Sequence, residues 1–255
     1  MRGLKDKVAI VTGGGAGIGH AICNRLAEEG CIVGVFDIDS AAAEAAAAAI
    51  TAAGGTAHAV VCDVADYAGV KKAVAGFEAE AGAVDILVNN AGWDRFMMFT
   101  KTEPALWDRI IAINLKGPLN MLHVTLPGMI ERGSGKVVNI ASDAARVGSL
   151  GEAVYSATKG GLVALSKSLA RETATKGVCL NCVCPGPTET SLLSSVAEAS
   201  GMGDKLLDAF AKATPMRRLG RVDDLPGSVA FLASDDADFI TGQVISVSGG
   251  LTMNG

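Results

Sequence analysis

No stretch of about 18 uninterrupted apolar residues, the length of a membrane-spanning helix, occurs in the 255-residue chain. A basic excess is missing too. With 22 lysines and arginines against 27 acids the net charge is −5, which argues against the concentrated cationic face of a nucleic-acid binder. The opening Met1-Arg2-Gly3-Leu4-Lys5-Asp6-Lys7 has no signal-peptide core and leads straight into a strand-like run, so the expected location is the cytoplasm. No Pro/Ser-rich linker divides the chain and no repeat of solenoid period is visible, which leaves one domain over residues 1–255 as the expectation.

A metal site is poorly provided for. Of six cysteines only Cys179-x-x-Cys182-x-Cys184 form a cluster. They lie in an apolar run that reads as a strand, where alternation puts Cys182 and Cys184 on one face and Cys179 on the other. Three ligands could not converge on one ion from there. Small buried thiols in a reducing compartment are expected, and no metal.

What the chain does have is apolar material, 49% hydrophobic against 19% charged, set out as short runs alternating with longer helical stretches. Strands are predicted at 8–12, 31–36, 57–62, 86–89, 136–140, 178–184 and 244–247. Several carry no polar alternation, as strands covered on both faces do. Helices are predicted at 18–29, 41–53, 67–81, 103–131, 152–176 and 223–233, with Ser40 and Asp66 where N-caps would stand and Gly30, Gly54 and Gly82 where C-caps would. Repeated β-α-β units of this kind predict an α/β fold: a single-domain, Rossmann-like, doubly wound parallel sheet of about seven strands flanked by helices. Residues 187–215 break the rhythm with prolines at both ends and an amphipathic stretch at 205–212, and a lid over a substrate site is expected there.

Thr12-Gly13-Gly14-Gly15-Ala16-Gly17-Ile18-Gly19 follows the first strand and opens the first helix. Glycines let the backbone turn sharply and approach a pyrophosphate, while the helix N-terminus offers free N–H groups and a positive dipole end. The spacing Gly13-x3-Gly17-x-Gly19 departs from the G-x-G-x-x-G form, so its placement after a strand carries the argument. Asp37 ends the second strand, 24 residues after Gly13. A carboxylate there can accept from both ribose hydroxyls and would repel a 2′-phosphate; no lysine or arginine lies within 13–19 to neutralise one. NAD is therefore expected over NADP.

Tyr155 and Lys159 stand at i and i+4 and share a helix face. A free tyrosine titrates near ~10, well above working pH. A neighbouring ammonium and the positive nicotinamide should both favour the phenolate. Ser142, at a strand end, can donate to a developing alkoxide. A hydride passed directly between a substrate carbon and such a cofactor would need no metal.

Thr12-Gly13-x3-Gly17-x-Gly19, Asp63-Val64, Asn89-Asn90-Ala91-Gly92, Asn114, Ser142, Tyr155-x3-Lys159 and Pro185-Gly186 together resemble the short-chain dehydrogenases/reductases, over nearly the whole chain. The resemblance implies Tyr155 as general acid/base, Lys159 as its partner, Ser142 as the carbonyl-orienting hydroxyl and Asn114 as a link in a proton relay. It implies a cofactor site on Gly13, Gly15, Gly17, Ile18 and Gly19, with Asp63 and Val64 at the adenine and Asn90 and Gly92 lining the cleft. Tyr155, Lys159, Pro185 and Gly186 would complete that site, with Thr188 at the nicotinamide carboxamide and Thr190 near the pyrophosphate. A homotetramer is implied as well, built on the Tyr155 helix and the one before it. Asn89–Asp94, Ser142–Gly148, Gly151–Tyr155 and the closing 248–255 are similar to the branch of this family that oxidises cyclic β-hydroxyacyl-CoA thioesters. The pocket is expected from the residues flanking the catalytic set, Trp93, Asp94, Phe96 and 143–147, together with the lid, and on that likeness Arg95, Arg146, Arg217 or Arg218 would meet CoA phosphates. A reductase of small ketones or 3-oxoacyl thioesters is the alternative within enzymes. A nucleotide sensor that lost its chemistry is the alternative outside them, and it would have no reason to keep Ser142, Tyr155 and Lys159 together.

Overall fold

A computed structural model describes residues 1–253; Asn254 and Gly255, which close the terminal segment, lie outside the described residues. The first half alternates strictly: β1 (Val8–Thr12), α1 (Gly17–Glu28), β2 (Ile32–Asp37), α2 (Ser40–Ala52), β3 (Thr56–Val61), α3 (Tyr67–Ala81) and β4 (Ile86–Asn89). The second half holds α4 (Pro104–Ile111), α5 (Gly117–Arg132), β5 (Gly135–Ile140), α6 (Ala144–Val147), α7 (Ala153–Thr173), β6 (Val178–Pro185), α8 (Ser191–Ala199), α9 (Asp204–Ala213), α10 (Pro226–Ala233) and β7 (Val244–Val247).

All seven strands pair in parallel in the order β3-β2-β1-β4-β5-β6-β7. The chain winds outward from β1 to β3, then returns to the other side of β1 as β4. That reversal opens a crevice at the C-terminal ends of β1 and β4, where open sheets of this kind bind ligands. Every residue of β1 and β4 is buried, which is why neither shows polar alternation. One apolar layer packs α1, α2 and α10 on the sheet through Ile22, Leu26, Ala46 and Val229. The other packs α3 and α5 through Val70, Val74, Phe77, Met121 and Met129. β3 is one of the two edge strands, and its exposed and half-covered residues explain its weaker apolar run.

Two local expectations change. Asp39, not Ser40, caps α2: its carboxylate accepts from Ala42 N–H at 3.1 Å, and Ser40 is already helical. The helix predicted over 103–131 is interrupted by a wide π-turn at Ala112–Lys116. Pro118 has no N–H for the Asn114 carbonyl, so the regular ladder cannot run through this point. Asp66 caps α3 as expected, accepting from Ala68 N–H at 3.1 Å. After β6, the amphipathic 205–212 lies within α9, while α8 before it was not anticipated.

Candidate active site

The glycine-rich turn is held from below. Thr12 Oγ1 accepts from the Asn90 and Ala91 N–H groups, both at 3.0 Å, and Asn90 Nδ2 donates to the Thr12 and Gly13 carbonyls at 3.0 and 3.1 Å. The Asn90 amide nitrogen thus shapes the turn from behind. Gly19 is fixed by crowding, because a Cβ there would stand 2.0 Å from the Gly13 carbonyl oxygen. α1 then starts after Ala16 with no side-chain cap and no acid in its first turn, leaving its leading N–H groups unmet by side chains. Ile18 packs half-buried against the core.

Asp37 closes this end. Its Oδ2 accepts from Gly15 N–H at 2.9 Å and its Oδ1 from Asp39 N–H at 3.0 Å, so the carboxylate is anchored beside the turn. Past β3, Asp63 is exposed and accepts from Ala65 N–H at 2.9 Å. Val64 is buried, with its carbonyl accepting from Asn120 Nδ2 at 2.8 Å.

Across the crevice, Ser142 follows β5 and hydrogen-bonds the phenol of Tyr155. Lys159 lies one turn along α7, 2% exposed, with its Nζ donating to the Ile140 carbonyl at 2.8 Å and 5.6 Å from the Tyr155 ring centroid. Asn114 is fully buried in the π-turn. Its amide donates to the Trp93 and Ile110 carbonyls at 2.6 and 2.9 Å, and its Oδ1 accepts from Trp93 N–H at 3.2 Å. Gly92 sits between them: a Cβ there would lie 3.0 Å from Asn114 Oδ1 and 3.6 Å from Lys159 Nζ. Pro185 ends β6, and Gly186 donates to the Val247 carbonyl at 3.1 Å. Thr188 donates to the Gly186 carbonyl at 2.9 Å, and Thr190 caps α8 by accepting from Leu193 N–H at 3.2 Å. The Thr190 methyl lies 3.8 Å from where a Gly17 Cβ would be, so the segment after β6 returns to the glycine-rich turn.

The electrostatics differ from expectation in sign. Burial lowers Lys159 to about 8, yet Tyr155 is pushed above its ordinary value, first by burial and then by Glu152 and Asp94. The phenol is held protonated here, and proximity of the lysine does not outweigh its dry surroundings. The arginines are engaged locally. Arg146 donates to Ser246 Oγ at 2.9 Å, Arg217 to the Lys212 carbonyl at 2.6 Å, and Arg218 to both Asp224 oxygens at 2.5 and 2.9 Å. Trp93 lies under the Arg109 guanidinium, 3.9 Å from its ring centroid, and Phe96 packs on Gly151.

Residues 13–252 match the family described as enoyl-(acyl carrier protein) reductase, of the short-chain alcohol dehydrogenase type. The chain belongs to the short-chain dehydrogenase/reductase family. This dehydrogenase/reductase is 40% identical to nodulation protein G of Azospirillum brasilense over 97% of its own length and 99% of the relative's. It is 41% identical to the acetoacetyl-CoA reductase of Rhizobium meliloti, over 96% and 98%. Among solved structures, NAD+-bound xylitol dehydrogenase superposes with a TM-score of 0.94 at 31% identity, covering 98% of this chain and 100% of that one. It is therefore an oxidoreductase acting on hydroxyl or keto groups, of a family that uses nicotinamide cofactors. Among the described residues no helix is long and apolar enough to cross a membrane.

Two features of the site escaped the sequence. Glu152, 58 positions from Asp94, shares a pocket with it beside Tyr155. Beneath the floor, Asn89 Nδ2 donates to Asn139 Oδ1 and Asn139 Nδ2 to Ser166 Oγ, both at 2.8 Å, tying β4 and β5 to α7. Asn139 is a polar residue inside the apolar run of β5, and that was the signal available.

Proposed function

We propose that the protein is an NAD-dependent dehydrogenase that interconverts a secondary alcohol and a ketone, with a cyclic β-hydroxyacyl-CoA such as 2-hydroxycyclohexane-1-carbonyl-CoA as substrate. One observation carries the chemistry: Tyr155, hydrogen-bonded to Ser142 with buried Lys159 one turn away, stands at the same sheet ends as the glycine-rich turn and Asp37.

The residues present fit a dinucleotide. The uncapped start of α1 and the crowded Gly13–Gly19 backbone suit a pyrophosphate, and the anchored Asp37 carboxylate suits an unphosphorylated ribose. Asp63 and Val64 would border the adenine, and Gly92, Pro185, Gly186, Thr188 and Thr190 would frame the nicotinamide half. When bound, the nicotinamide takes or supplies the hydride at the carbinol carbon. In reduction the protonated Tyr155 Oη donates its proton to the substrate oxygen; in oxidation Tyr155 first gives that proton to the relay and, as the phenolate, accepts the substrate's hydroxyl proton, while the Ser142 hydroxyl donates to the oxygen that gains charge. Lys159 is mostly protonated at neutral pH and supplies the positive charge that offsets an ionised phenol. Asn114 Oδ1 retains one acceptor position after Trp93 N–H and is assigned the relay toward Lys159. The segment 187–215, with α8 and α9, is assigned as the substrate lid, and the assembly as a homotetramer.

For the substrate, support comes from the β-hydroxyacyl-CoA likeness of the segments around Asp94, Ser142 and Glu152 and from a relative named for acetoacetyl-CoA. That relative also favours the second reading, a general 3-oxoacyl thioester reductase. Of the arginines considered for CoA phosphates, Arg146, Arg217 and Arg218 are held by their neighbours, whereas Arg95 is exposed at the mouth of the site, so it is the one assigned to that task. The test follows NADH absorbance with 2-hydroxycyclohexane-1-carbonyl-CoA, 3-hydroxybutanoyl-CoA and cyclohexanol. The first should have the highest kcat/KM, and Tyr155→Phe should bind NADH normally while turnover falls at least about 1,000-fold. Better turnover of cyclohexanol would refute the thioester.

A further inference from the structure

Asp94 follows the turn after β4, in a loop fastened to the start of α7 by the bond from Met97 N–H to the Gly151 carbonyl at 2.9 Å. It is 5% exposed, and among the described residues no donor meets either carboxylate oxygen with hydrogen-bond geometry. Its polar neighbours are the Arg95 backbone N–H and the carboxyl group of Glu152. Both carboxyls line one small pocket with Tyr155, and Met97, Phe99, Leu106 and Ile110 make its apolar walls. The charged or titratable groups facing Asp94 are therefore Glu152 and Tyr155 from α7 and Arg95 from its own loop, since α4 presents only Leu106 and Ile110.

Two carboxyls in contact in such a place do not both ionise, because the second charge would stand unscreened beside the first. A proton between them makes one carboxyl the donor that Asp94 otherwise lacks. Burial raises Asp94 to about 7, with Glu152 acting in the same direction.

We infer that Asp94 and Glu152 share one proton and present it to a neutral acceptor oxygen of the substrate beside the reacting carbinol. This rests on the function proposed above, in which that oxygen is the thioester carbonyl. The pair is then the element that selects a thioester over the corresponding free acid. A protonated carboxyl donates to a carbonyl, whereas a substrate carboxylate at the same point would face two acids in a dry pocket. Simple ketones make no use of the pair, having no second oxygen.

The experiment measures reduction of 2-oxocyclohexane-1-carbonyl-CoA, its free acid 2-oxocyclohexanecarboxylate, and cyclohexanone by the purified enzyme with NADH. Asp94→Ala should lower kcat/KM for the thioester about 10- to 100-fold more than for cyclohexanone. Asp94→Asn keeps an N–H donor and the side-chain shape, so it should restore the thioester-to-ketone ratio to within about threefold of the parent. In the parent that ratio should fall as pH rises past about 7, while Asp94→Asn should hold it level; Tyr155 contributes equally to both substrates and cancels. Infrared difference spectra across neutral pH should show a protonated-carboxyl band that both Asp94→Asn and Glu152→Gln abolish. Equal losses on all three substrates, or no such band, would overturn the shared proton and leave the thioester function standing. A parent enzyme that reduces cyclohexanone as well as the thioester would overturn the function itself and the acceptor named here.

Discussion

Replacing Lys159 by methionine should inactivate the enzyme and make it more stable. Lys159 is 2% exposed and its ammonium titrates near 8 instead of 10.5, because burial disfavours the charge. A tenfold change in proton affinity corresponds to about 1.4 kcal/mol, so holding the protonated side chain in the fold at pH 7 costs about 3 kcal/mol relative to the neutral one. Methionine fills a similar volume without charge but leaves the Ile140 carbonyl without its 2.8 Å partner, which returns about 1–1.5 kcal/mol. The net expectation is a gain of about 1–2 kcal/mol at pH 7. The sign of the pH dependence follows from a base whose folded value is depressed. Between about 8 and 10.5 this lysine binds more protons in the unfolded chain than in the folded one, so it adds stability as pH rises there. The variant has no such group, and its advantage should shrink by about 1 kcal/mol between pH 7 and pH 9. Urea unfolding of both proteins without cofactor at the two pH values reads this directly. A variant less stable than the parent at pH 7, by a margin that pH does not change, would refute the burial argument.

Asp37→Ser removes the carboxylate anchored by Gly15 and Asp39 N–H groups; KM for NAD should rise about 10- to 100-fold while that for NADP stays level or falls, as initial rates with each cofactor will tell. Gly151→Ala places a methyl 2.3 Å from a Phe96 ring carbon at a φ of +77°, so both the ring and the backbone must give way. A loss of about 2–4 kcal/mol in urea unfolding is expected, with a raised KM for the bulky substrate as the Phe96 wall moves.

The sheet was legible because the strands covered on both faces are apolar throughout, and β1, β4 and β7 have the predicted limits. The break in 103–131 was not, although Pro118 stood in the sequence. A proline near a helix start reads equally well as a first-turn residue, and the wide turn depends on the Trp93 and Ile110 carbonyls that hold Asn114. Asn90 was found by its motif, but spacing locates a side chain without showing that its amide donates to the Thr12 and Gly13 carbonyls. Tyr155 and Lys159 were placed on one face by their four-residue interval, yet whether the phenol becomes a stronger or a weaker acid depends on burial and on Asp94 and Glu152. No local pattern carries an unpaired buried carboxyl, whose significance lies in the absence of a donor.

Asp94 and Lys159 act on stability in opposite pH windows, and together they predict an unusual profile for the enzyme without cofactor. Asp94 is an acid whose folded value is raised from 3.8 to about 7, so the folded state binds the extra proton between those limits and stability falls as pH rises through them. Lys159 works against that fall near pH 8. The surface carboxylates held low by ion pairs, Asp224 at about 2 among them, have finished titrating below about pH 5 and leave this range alone. From about pH 8 upward the buried thiols of Cys23, Cys31, Cys62, Cys182 and Cys184, all raised by burial, lower stability because they ionise only in the unfolded chain, and the five together outweigh the one lysine. Stability should therefore fall from about pH 5 to about pH 7, level off near pH 8 and fall again above it, across the range in which many proteins are most stable. Unfolding midpoints in a pH series would trace this course; Asp94→Asn should remove the fall below about pH 7, and Lys159→Met should remove the level stretch near pH 8. A parent curve with its maximum between about pH 7 and 8 would mean that neither charge is as deeply buried as the fold places it, and the catalytic site would have to be more open to water than Tyr155 chemistry needs.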